Sequence, residues 1–232
     1  MPEEINRILT DQVADLLFTP SEDGNQNLLA EGIPLGRIHL VGNAMIDTLI
    51  RLLDKAEDRW SEVQKQCGIA SDRYILTTLH RPSNVDEPAL LGQILQTLSG
   101  FGQHVPIVFP IHPRTRQRIH QQGLGGWLQN LHVVEPQGYL EFLALQRHAL
   151  LVITDSGGVQ EETTFLQVPC LTIRENTERP VTVSLGSNQL IGQDMQRLTR
   201  EVEAVLAGKG KRGAIPPLWD GRTGERIAAI LC

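Results

Sequence analysis

Short apolar runs alternate with stretches of helical periodicity along most of the chain. The apolar runs lie at residues 73–80, 105–112, 131–135, 149–154, 168–173 and 188–192. They are nearly continuous in apolar residues, as expected for strands that are buried on both faces of a parallel sheet. Helical patterns occupy residues 87–98, 114–122, 139–148, 159–166 and 195–208. This alternation predicts an α/β fold with a Rossmann-like, doubly wound parallel sheet.

Residues 1–60 have a different pattern, with predicted helices at both ends and only two short predicted strands between them. Two strands are too few for an independent sheet, so we expect a remnant of a first α/β domain whose earlier part is missing. The predicted organisation is residues 1–60 for this remnant and 61–212 for the Rossmann-like domain. Residues 213–232 are predicted to form a C-terminal helix that packs back toward the first domain.

Composition narrows the class of protein. No apolar run reaches the ~18 residues of a membrane span, and the start of the chain has no signal-peptide pattern, so the sequence predicts a cytoplasmic protein without a membrane partner. The net charge of −6 and the aromatic content of 4% argue against a nucleic-acid partner. The three cysteines, Cys67, Cys170 and Cys232, have no metal-ligand spacing.

The segment TDSGGVQEE, residues 154–162, carries the strongest chemical signal. It follows a buried strand and opens a helix, and Ser156, Gly157 and Gly158 would let backbone N–H groups approach a phosphate at the positive end of the helix dipole. Glu161 and Glu162 follow one turn later, where a carboxylate can accept two hydrogen bonds from a ribose diol. The alternative is an ordinary N-capped helix with Asp155 or Ser156 as the cap, which leaves the two glycines unexplained.

Other polar residues follow neighbouring predicted strands. His80 and His112 each stand at a strand end, where a histidine can donate to a phosphate or transfer a proton. In parallel α/β sheets, ligands bind beyond these carboxyl ends. Gln137 follows the next strand and could meet a base edge, whereas the helical spacing of Phe142 favours a core residue.

Two charged segments are ambiguous on their residues alone. RENTERP, residues 174–180, carries Arg174 and Arg179, which suit a diphosphate but also suit an ordinary charged loop. Glu3 and Glu4 precede a helix, a position typical of charge complementarity to the helix dipole.

Taken in order, the motifs resemble a known family. PEEINR, TPSE, GN-x-x-ID, LHRPSNVD, PIHPRT, PQGYLEF, TDSGGVQEE, RENTERP and PLWDG occur in the order seen in non-hydrolysing UDP-N-acetylglucosamine 2-epimerases. The resemblance covers essentially all 232 residues. It implies the C-terminal half of a GT-B-like two-domain fold, an isomerase that interconverts UDP-N-acetylglucosamine and UDP-N-acetylmannosamine, and a role in cell-surface polysaccharide synthesis. It implies no cofactor and no metal, and a homodimer in the full-length form.

The resemblance also implies roles for individual residues. The catalytic residues would be Glu4, with Glu3 as the alternative, and His80. The substrate-binding residues would be His80, Gln137, Phe142, Ser156, Gly157, Gly158, Glu162 and Arg179. Among these, Gln137 and Phe142 match residues at the uracil, Glu162 matches the acid on the ribose hydroxyls, and Arg179 matches the arginine that faces the diphosphate.

Alternatives remain open at this point. The chain could be a non-catalytic UDP-sugar-binding fragment, because family members begin with a first domain that carries further site residues. It could instead be a GT-B glycosyltransferase that uses a UDP-sugar, although TERP and PEEINR argue against this. A hydrolysing relative would release free N-acetylmannosamine.

Overall fold

The computed structural model describes residues 2–70 and 73–232, with side chains from residue 4 onward in the first helix. The strands are β1 (Leu17–Thr19), β2 (Ile38–Leu40), β3 (Ile75–Thr78), β4 (Ile107–Pro110), β5 (His132–Val134), β6 (Leu151–Thr154), β7 (Cys170–Thr172) and β8 (Asn188–Leu190). The helices are α1 (Pro2–Val13), α2 (Glu22–Ala30), α3 (Ala44–Glu57), α4 (Trp60–Gln66), α5 (Pro82–Val85), α6 (Pro88–Gly102), α7 (Pro113–Gln121), α8 (Tyr139–His148), α9 (Gly157–Leu166), α10 (Pro180–Ser184), α11 (Met195–Leu206) and α12 (Thr223–Leu231).

The chain divides into two compact units. Unit 1 comprises residues 1–51 and 216–232, and unit 2 comprises residues 52–215. These units are defined by the packing of the chain, and not as evolutionary domains. The domain bounds at residues 60 and 212 therefore stay predictions. None of the described helices is long and apolar enough to cross a membrane.

Unit 2 is built on a parallel sheet of six strands in the order β5-β4-β3-β6-β7-β8. Successive residues of a strand point to opposite faces, and both faces are buried here. Ile75 joins one hydrophobic cluster and Leu76 joins the other, and neither residue is exposed. Helices therefore cover both faces of the sheet, and the predicted doubly wound, Rossmann-like α/β fold is confirmed.

Unit 1 contains a parallel pair of strands, β1 and β2. Its two chain segments are joined by the buried Trp219, whose indole Nε1 donates to the Pro20 carbonyl over 2.9 Å. The Asp47 carboxylate also accepts from the backbone N–H of Gly224, at the start of α12, over 3.0 Å. These contacts fasten residues 216–232 onto residues 1–51 within the same unit.

The strands are shorter than the apolar runs predicted. β3 ends at Thr78 instead of residue 80, because the backbone N–H groups of His80 and Arg81 donate to the Asp155 side chain and not to a neighbouring strand. Such a shift cannot be read from an apolar run, because it depends on a residue about 75 positions away.

Three helices, α4, α5 and α10, were not predicted. The long helix expected over residues 44–60 stops at Glu57, where a tight turn brings the Arg59 N–H to the Ala56 carbonyl, and α4 starts at Trp60. The turn lets the Trp60 ring stack on His148 with centroids 4.1 Å apart. The short helix α10 follows Arg179 and begins with Pro180 at its first position, which suits proline because no helical partner is lost there.

Candidate functional site

The candidate site lies where the strand order of unit 2 reverses. β3 is the first strand of the sheet along the chain, and it lies between β4 and β6. The connections after β3 and β6 leave to opposite sides, so their carboxyl ends flank a crevice, which is where doubly wound sheets bind ligands. His80 follows β3, and residues 155–158 follow β6.

His80 and Asp155 form an ion pair across this crevice. Nδ1 of His80 lies 2.8 Å from Oδ1 of Asp155, which is fully buried, whereas the imidazole is 44% exposed. Asp155 also accepts from the backbone N–H groups of His80 and Arg81 and from the Asn84 amide. Because Nδ1 is engaged, the Nε2 edge of the imidazole is left for a ligand.

The pair changes the pKa of both groups. The hydrogen bond to Asp155 raises the pKa of His80 above its usual value, although burial acts in the opposite direction. Burial alone would raise the pKa of Asp155, but the hydrogen bonds from His80 and the Arg81 N–H outweigh it, so that pKa is lowered. The geometry therefore favours an imidazolium against a carboxylate, with a positive charge facing the crevice.

The start of α9 has no side-chain cap, so the N-cap interpretation of this segment was wrong. Ser156 occupies the N-cap position, but its side chain makes no cap hydrogen bond, and the Asp155 carboxylate turns toward His80 instead. The backbone N–H of Ser156 donates to Thr154 Oγ1 over 3.0 Å. The N–H groups of Gly157 and Gly158 follow in the first turn, where a helix offers donors without helical partners.

Gly157 leaves open space above this turn. A Cβ built at Gly157 would find its nearest neighbour, Oε2 of Glu178, at 3.9 Å, which is an ordinary van der Waals distance. The fold therefore does not require a glycine here, whereas close approach of an anion to the backbone does.

Three arginines lie near this end of the sheet, and each is associated with a carboxylate. Arg174 makes two hydrogen bonds to Glu178, at 2.9 and 2.6 Å, and this contact lowers the pKa of Glu178 to about 2. Nε of Arg179 lies 3.1 Å from Oε2 of the buried Glu161. Arg81 reaches Glu178 at 4.0 Å. Arg81 and Arg179 are thus held in place while remaining partly accessible, whereas Arg174 is buried.

A buried polar network positions the segment that carries Arg179. Oε1 of Gln160, on α9, accepts from Thr177 Oγ1 over 2.7 Å and from the Asn188 amide over 3.0 Å. Thr177 Oγ1 in turn accepts from the backbone N–H of Arg179 over 3.0 Å. The loop after β7 is therefore tied to the helix whose N-terminus faces the crevice.

Glu162 is buried on the same helix and contacts neutral donors. The Gln146 amide donates to Glu162 Oε2 over 2.6 Å, and the Tyr139 hydroxyl forms a further hydrogen bond. Burial raises the pKa of Glu162, the two hydrogen bonds lower it, and the nearby Glu161 raises it, so that the net shift is upward. Glu161, by contrast, has the Arg179 guanidinium beside it.

A cavity of about 180 Å³ opens beside His80. It is lined by Thr78, Leu79, His80, Pro110, His112, Pro136, Gln137 and Phe142. Phe142 packs against a hydrophobic cluster and also lines the cavity, so it is both a core residue and a wall of the cavity. The Gln137 amide donates to the Glu135 carbonyl over 2.8 Å, which holds this side chain at the rim.

His112 reaches the same cavity from the end of β4. Its Nδ1 accepts from the Arg114 N–H over 3.2 Å, which caps α7, and its ring centroid lies 6.4 Å from that of His80. The structure thus brings together the strand-end residues that the sequence singled out on β3, β4 and β6.

Glu4 belongs to unit 1 and is described separately. It is exposed on α1, where its carboxylate lies 2.6 Å from the Arg7 guanidinium. The hydrogen bond from Arg7 lowers the pKa of Glu4, so this carboxylate is ionised at neutral pH. The side chain of Glu3 lies outside the described side chains.

Several residues that shape the site gave no clear signal in the sequence. Asp155 was interpreted only as a possible helix cap, whereas in the structure it accepts hydrogen bonds from His80, Arg81 and the Asn84 amide. Gln146 and Tyr139 were not identified, because their role depends on the packing of α8 against α9.

Comparison with known proteins identifies the family. The family model for UDP-N-acetylglucosamine 2-epimerase matches residues 1–232. The UDP-N-acetylglucosamine 2-epimerase of Methanococcus maripaludis is 42% identical over 241 residues, which cover 100% of this chain and 64% of the relative. The UDP-2,3-diacetamido-2,3-dideoxy-D-glucuronate 2-epimerase of Pseudomonas aeruginosa is 40% identical and is covered to 63%.

A solved structure shows the same similarity. The Methanocaldococcus jannaschii UDP-GlcNAc 2-epimerase, in complex with UDP-GlcNAc and UDP, matches with a TM-score of 0.87 and 43% identity. The match covers 100% of this chain and 64% of that one, so the chain spans about two thirds of the length of these relatives. Over the matched part, this chain therefore has the fold of the GT-B-like UDP-GlcNAc 2-epimerases. The chain belongs to the UDP-N-acetylglucosamine 2-epimerase family.

Proposed function

We propose that unit 2 binds UDP in the crevice between the ends of β3 and β6, as part of an enzyme that interconverts UDP-N-acetylglucosamine and UDP-N-acetylmannosamine. The observation that carries the proposal is that His80 and the uncapped N-terminus of α9 lie together where the strand order of the sheet reverses, at the ends of β3 and β6. Family membership supports a UDP-sugar as the ligand.

The diphosphate is proposed to sit at the start of α9. The backbone N–H groups of Gly157 and Gly158, together with the helix dipole, favour an anion there. His80, with its raised pKa, adds a charged donor, and Arg179 adds a guanidinium that suits phosphate oxygens. The open space above Gly157 supports this placement.

The uridine is proposed to occupy the cavity and the adjoining rim. Phe142 offers an apolar wall, and the amide of Gln137 offers polar atoms to the edge of the base. Glu162 would accept hydrogen bonds from the ribose hydroxyls. This assignment is supported by its burial beside neutral donors, because a carboxylate without a paired cation keeps oxygen lone pairs for a ligand.

The proposed reaction is an elimination followed by an addition. A carboxylate removes the proton from carbon 2 of the sugar while the bond from carbon 1 to the diphosphate oxygen breaks, and UDP leaves with the bonding electron pair. UDP then adds back to the 2-acetamidoglucal while carbon 2 is protonated on the other face. His80 and the α9 N-terminus would stabilise the charge on the departing diphosphate, and Glu4 is the proposed carboxylate.

The first test is calorimetric titration of the 232-residue chain with UDP, alongside Arg179→Ala and His80→Ala. We expect binding by the parent chain and weakening of about tenfold or more in each variant, since each removes a charge-assisted contact. Absence of UDP binding by a folded parent chain would refute the proposal.

Turnover needs a separate measurement, because the chain spans 64% of the length of its relatives. The chain is incubated with UDP-N-acetylglucosamine and the products are separated by chromatography. Formation of UDP-N-acetylmannosamine would show that these 232 residues are sufficient for turnover, whereas its absence with retained UDP binding would limit the chain to nucleotide binding. The relatives carry the names of two different UDP-sugar substrates, so the diacetamido-glucuronate nucleotide is the matched comparison. Accumulation of free sugar would instead indicate a hydrolysing reaction.

A further inference from the structure

Gln146 is a buried amide that the proposed reaction does not use directly. It lies on α8 with no exposed surface, and its Nε2 donates over 2.6 Å to the carboxylate of Glu162 on α9. Its other polar atom, Oε1, has no hydrogen-bond partner among the described residues. Burial of an unpartnered acceptor is costly, so this side chain is poorly explained by packing alone.

The neighbouring acids show why Glu162 depends on such a donor. Glu161 and Glu162 are adjacent and both nearly fully buried. Arg179 balances Glu161, whereas the hydrogen bonds to Glu162 come from the neutral groups of Gln146 and Tyr139. A neutral donor orients a carboxylate without neutralising its charge, so the remaining lone pairs stay strong acceptors.

We propose that Gln146 is a positioning residue that holds the Glu162 carboxylate in the orientation needed to read the ribose hydroxyls of the nucleotide. This inference rests on the proposed function, because it assigns the ribose to Glu162. Gln146 touches no ligand in this arrangement, and its effect passes through Glu162. Because the Glu162 carboxylate accepts hydrogen bonds, this contact would select a nucleotide whose ribose hydroxyls are free to donate.

The test compares UDP with 2′,3′-dideoxy-UDP, which keeps the base and the diphosphate but lacks both ribose donors. The dissociation constants of the two nucleotides are measured for the parent chain, Gln146→Met, Glu162→Gln and the double variant. Leu143→Met is the matched control, because Leu143 is also fully buried on α8 and has no hydrogen bond to Glu162. The ratio of the two constants reports on ribose recognition alone.

We expect the parent chain to prefer UDP by about tenfold or more, and Gln146→Met to lose most of that preference while its affinity for dideoxy-UDP changes little. In the Glu162→Gln background, Gln146→Met should have no further effect on the ratio, which is the signature of action through Glu162. Leu143→Met should keep the preference of the parent chain.

Three other results are possible, and each would overturn a different part of the proposal. An unchanged ratio in Gln146→Met, or equal losses for both nucleotides, would overturn the positioning role and leave a structural one. A parent chain that binds both nucleotides equally would overturn ribose recognition by Glu162 while leaving UDP binding intact. A parent chain that binds neither would refute the proposed function itself.

Discussion

At the scale of single residues, the His80–Asp155 pair shows how burial and charge set the protonation of the site. The pKa of His80 is raised, so its contribution to stability is present below its ordinary value of 6.5 and is lost as pH rises through the folded-state pKa. The pKa of Asp155 is lowered, so its contribution is present above its ordinary value of 3.8 and is lost as pH falls through the folded-state pKa. The pair therefore stabilises the fold most fully between these two ordinary values.

The same protonation should control nucleotide affinity. We expect UDP to bind more tightly below the raised pKa of His80 than above it, because only the imidazolium adds a charge-assisted hydrogen bond. Calorimetry from pH 6 to pH 9 on the parent chain and on His80→Asn measures this, and the ratio of the two dissociation constants removes the ionisation of UDP itself. The advantage of the parent chain, about tenfold at low pH, should shrink as pH rises. A ratio that is constant with pH would mean that His80 acts as a neutral group.

Removal of the buried acid should affect the fold more than removal of the histidine. In Asp155→Asn the backbone N–H groups of His80 and Arg81 lose a charged acceptor, and we expect a loss of roughly 3 kcal/mol in the free energy of unfolding. His80→Ala is the matched control and should cost less, because its ring is 44% exposed. Urea unfolding at pH 6 would measure both. Equal losses would show that the ion pair, not the backbone contacts, dominates.

Gly157 allows binding to be separated from folding. Gly157→Ala places a methyl group where the nearest atom is 3.9 Å away, so the free energy of unfolding should be unchanged or rise by up to about 0.5 kcal/mol. UDP affinity should fall at least about tenfold if the methyl group blocks close approach to the backbone. Gly100→Ala on α6, where a Cβ has open space, is the control and should leave UDP affinity unchanged. Retained affinity in Gly157→Ala would place the diphosphate elsewhere.

Single residues also mark how far the sequence can predict this site. His80 and Gly157 were singled out because strand ends converge in a doubly wound sheet, a rule that needs only local patterns. Arg179 was ambiguous on the residues alone and was assigned to the site only through the family resemblance. The partnership of Asp155 with His80 could not be predicted, because an aspartate before a helix is equally well explained as a cap. Gln146 gave no signal, because a glutamine in a helix shows its partner only once two helices have packed.

At the scale of elements, the loop between β7 and α10 depends on a network inside unit 2. Thr177 donates to Gln160 on α9 and accepts from the Arg179 N–H, so one hydroxyl couples the loop to the helix that faces the crevice. The regular elements around it followed from periodicity, since the buried central strands β3, β4, β6 and β7 and the long helices have strong patterns. The short helices α4 and α10 did not follow from periodicity. The tight turn before Trp60 and the loop before Pro180 determine where they begin.

Replacing the Thr177 hydroxyl with a methyl group should make the loop between β7 and α10 more mobile. Thr177→Val keeps the shape of the side chain but removes both hydrogen bonds, so we expect a loss of about 1–2 kcal/mol and faster hydrogen exchange over residues 174–179. UDP affinity should fall because Arg179 is no longer held. Thr177→Ser retains the hydroxyl and should behave like the parent chain. If exchange in this segment does not change, the network does not determine the loop's order.

At the scale of the whole molecule, the chain consists of two packed units with separate hydrophobic clusters. Unit 1 contains a cluster of Leu17, Leu28, Ile33 and Ile38, whereas the two large clusters belong to unit 2. The proposed nucleotide contacts at the crevice all come from unit 2. Damage confined to the core of unit 1 should therefore leave those contacts in place.

Trp219→Ala tests this separation. The indole is 2% exposed and donates to the Pro20 carbonyl, so its loss should destabilise unit 1 by roughly 3–5 kcal/mol. Hydrogen exchange should accelerate in residues 17–40, while UDP affinity and the exchange of β3 and β6 stay close to parent values. Trp127→Ala is the control, because Trp127 is 39% exposed and should cost little. Loss of protection throughout the chain would show that the units unfold together.

The bond between Trp219 and Pro20 joins residues that are 199 positions apart. On a ribosome, residues 1–51 emerge before unit 2, but the segment that closes their unit is made only after the whole of unit 2. Unit 2 is continuous in sequence and can complete its sheet during that interval, since domains generally fold as units during synthesis. Residues 1–51 must instead wait for residues 216–232, so the contact between Trp219 and Pro20 can form only after unit 2 has been synthesised.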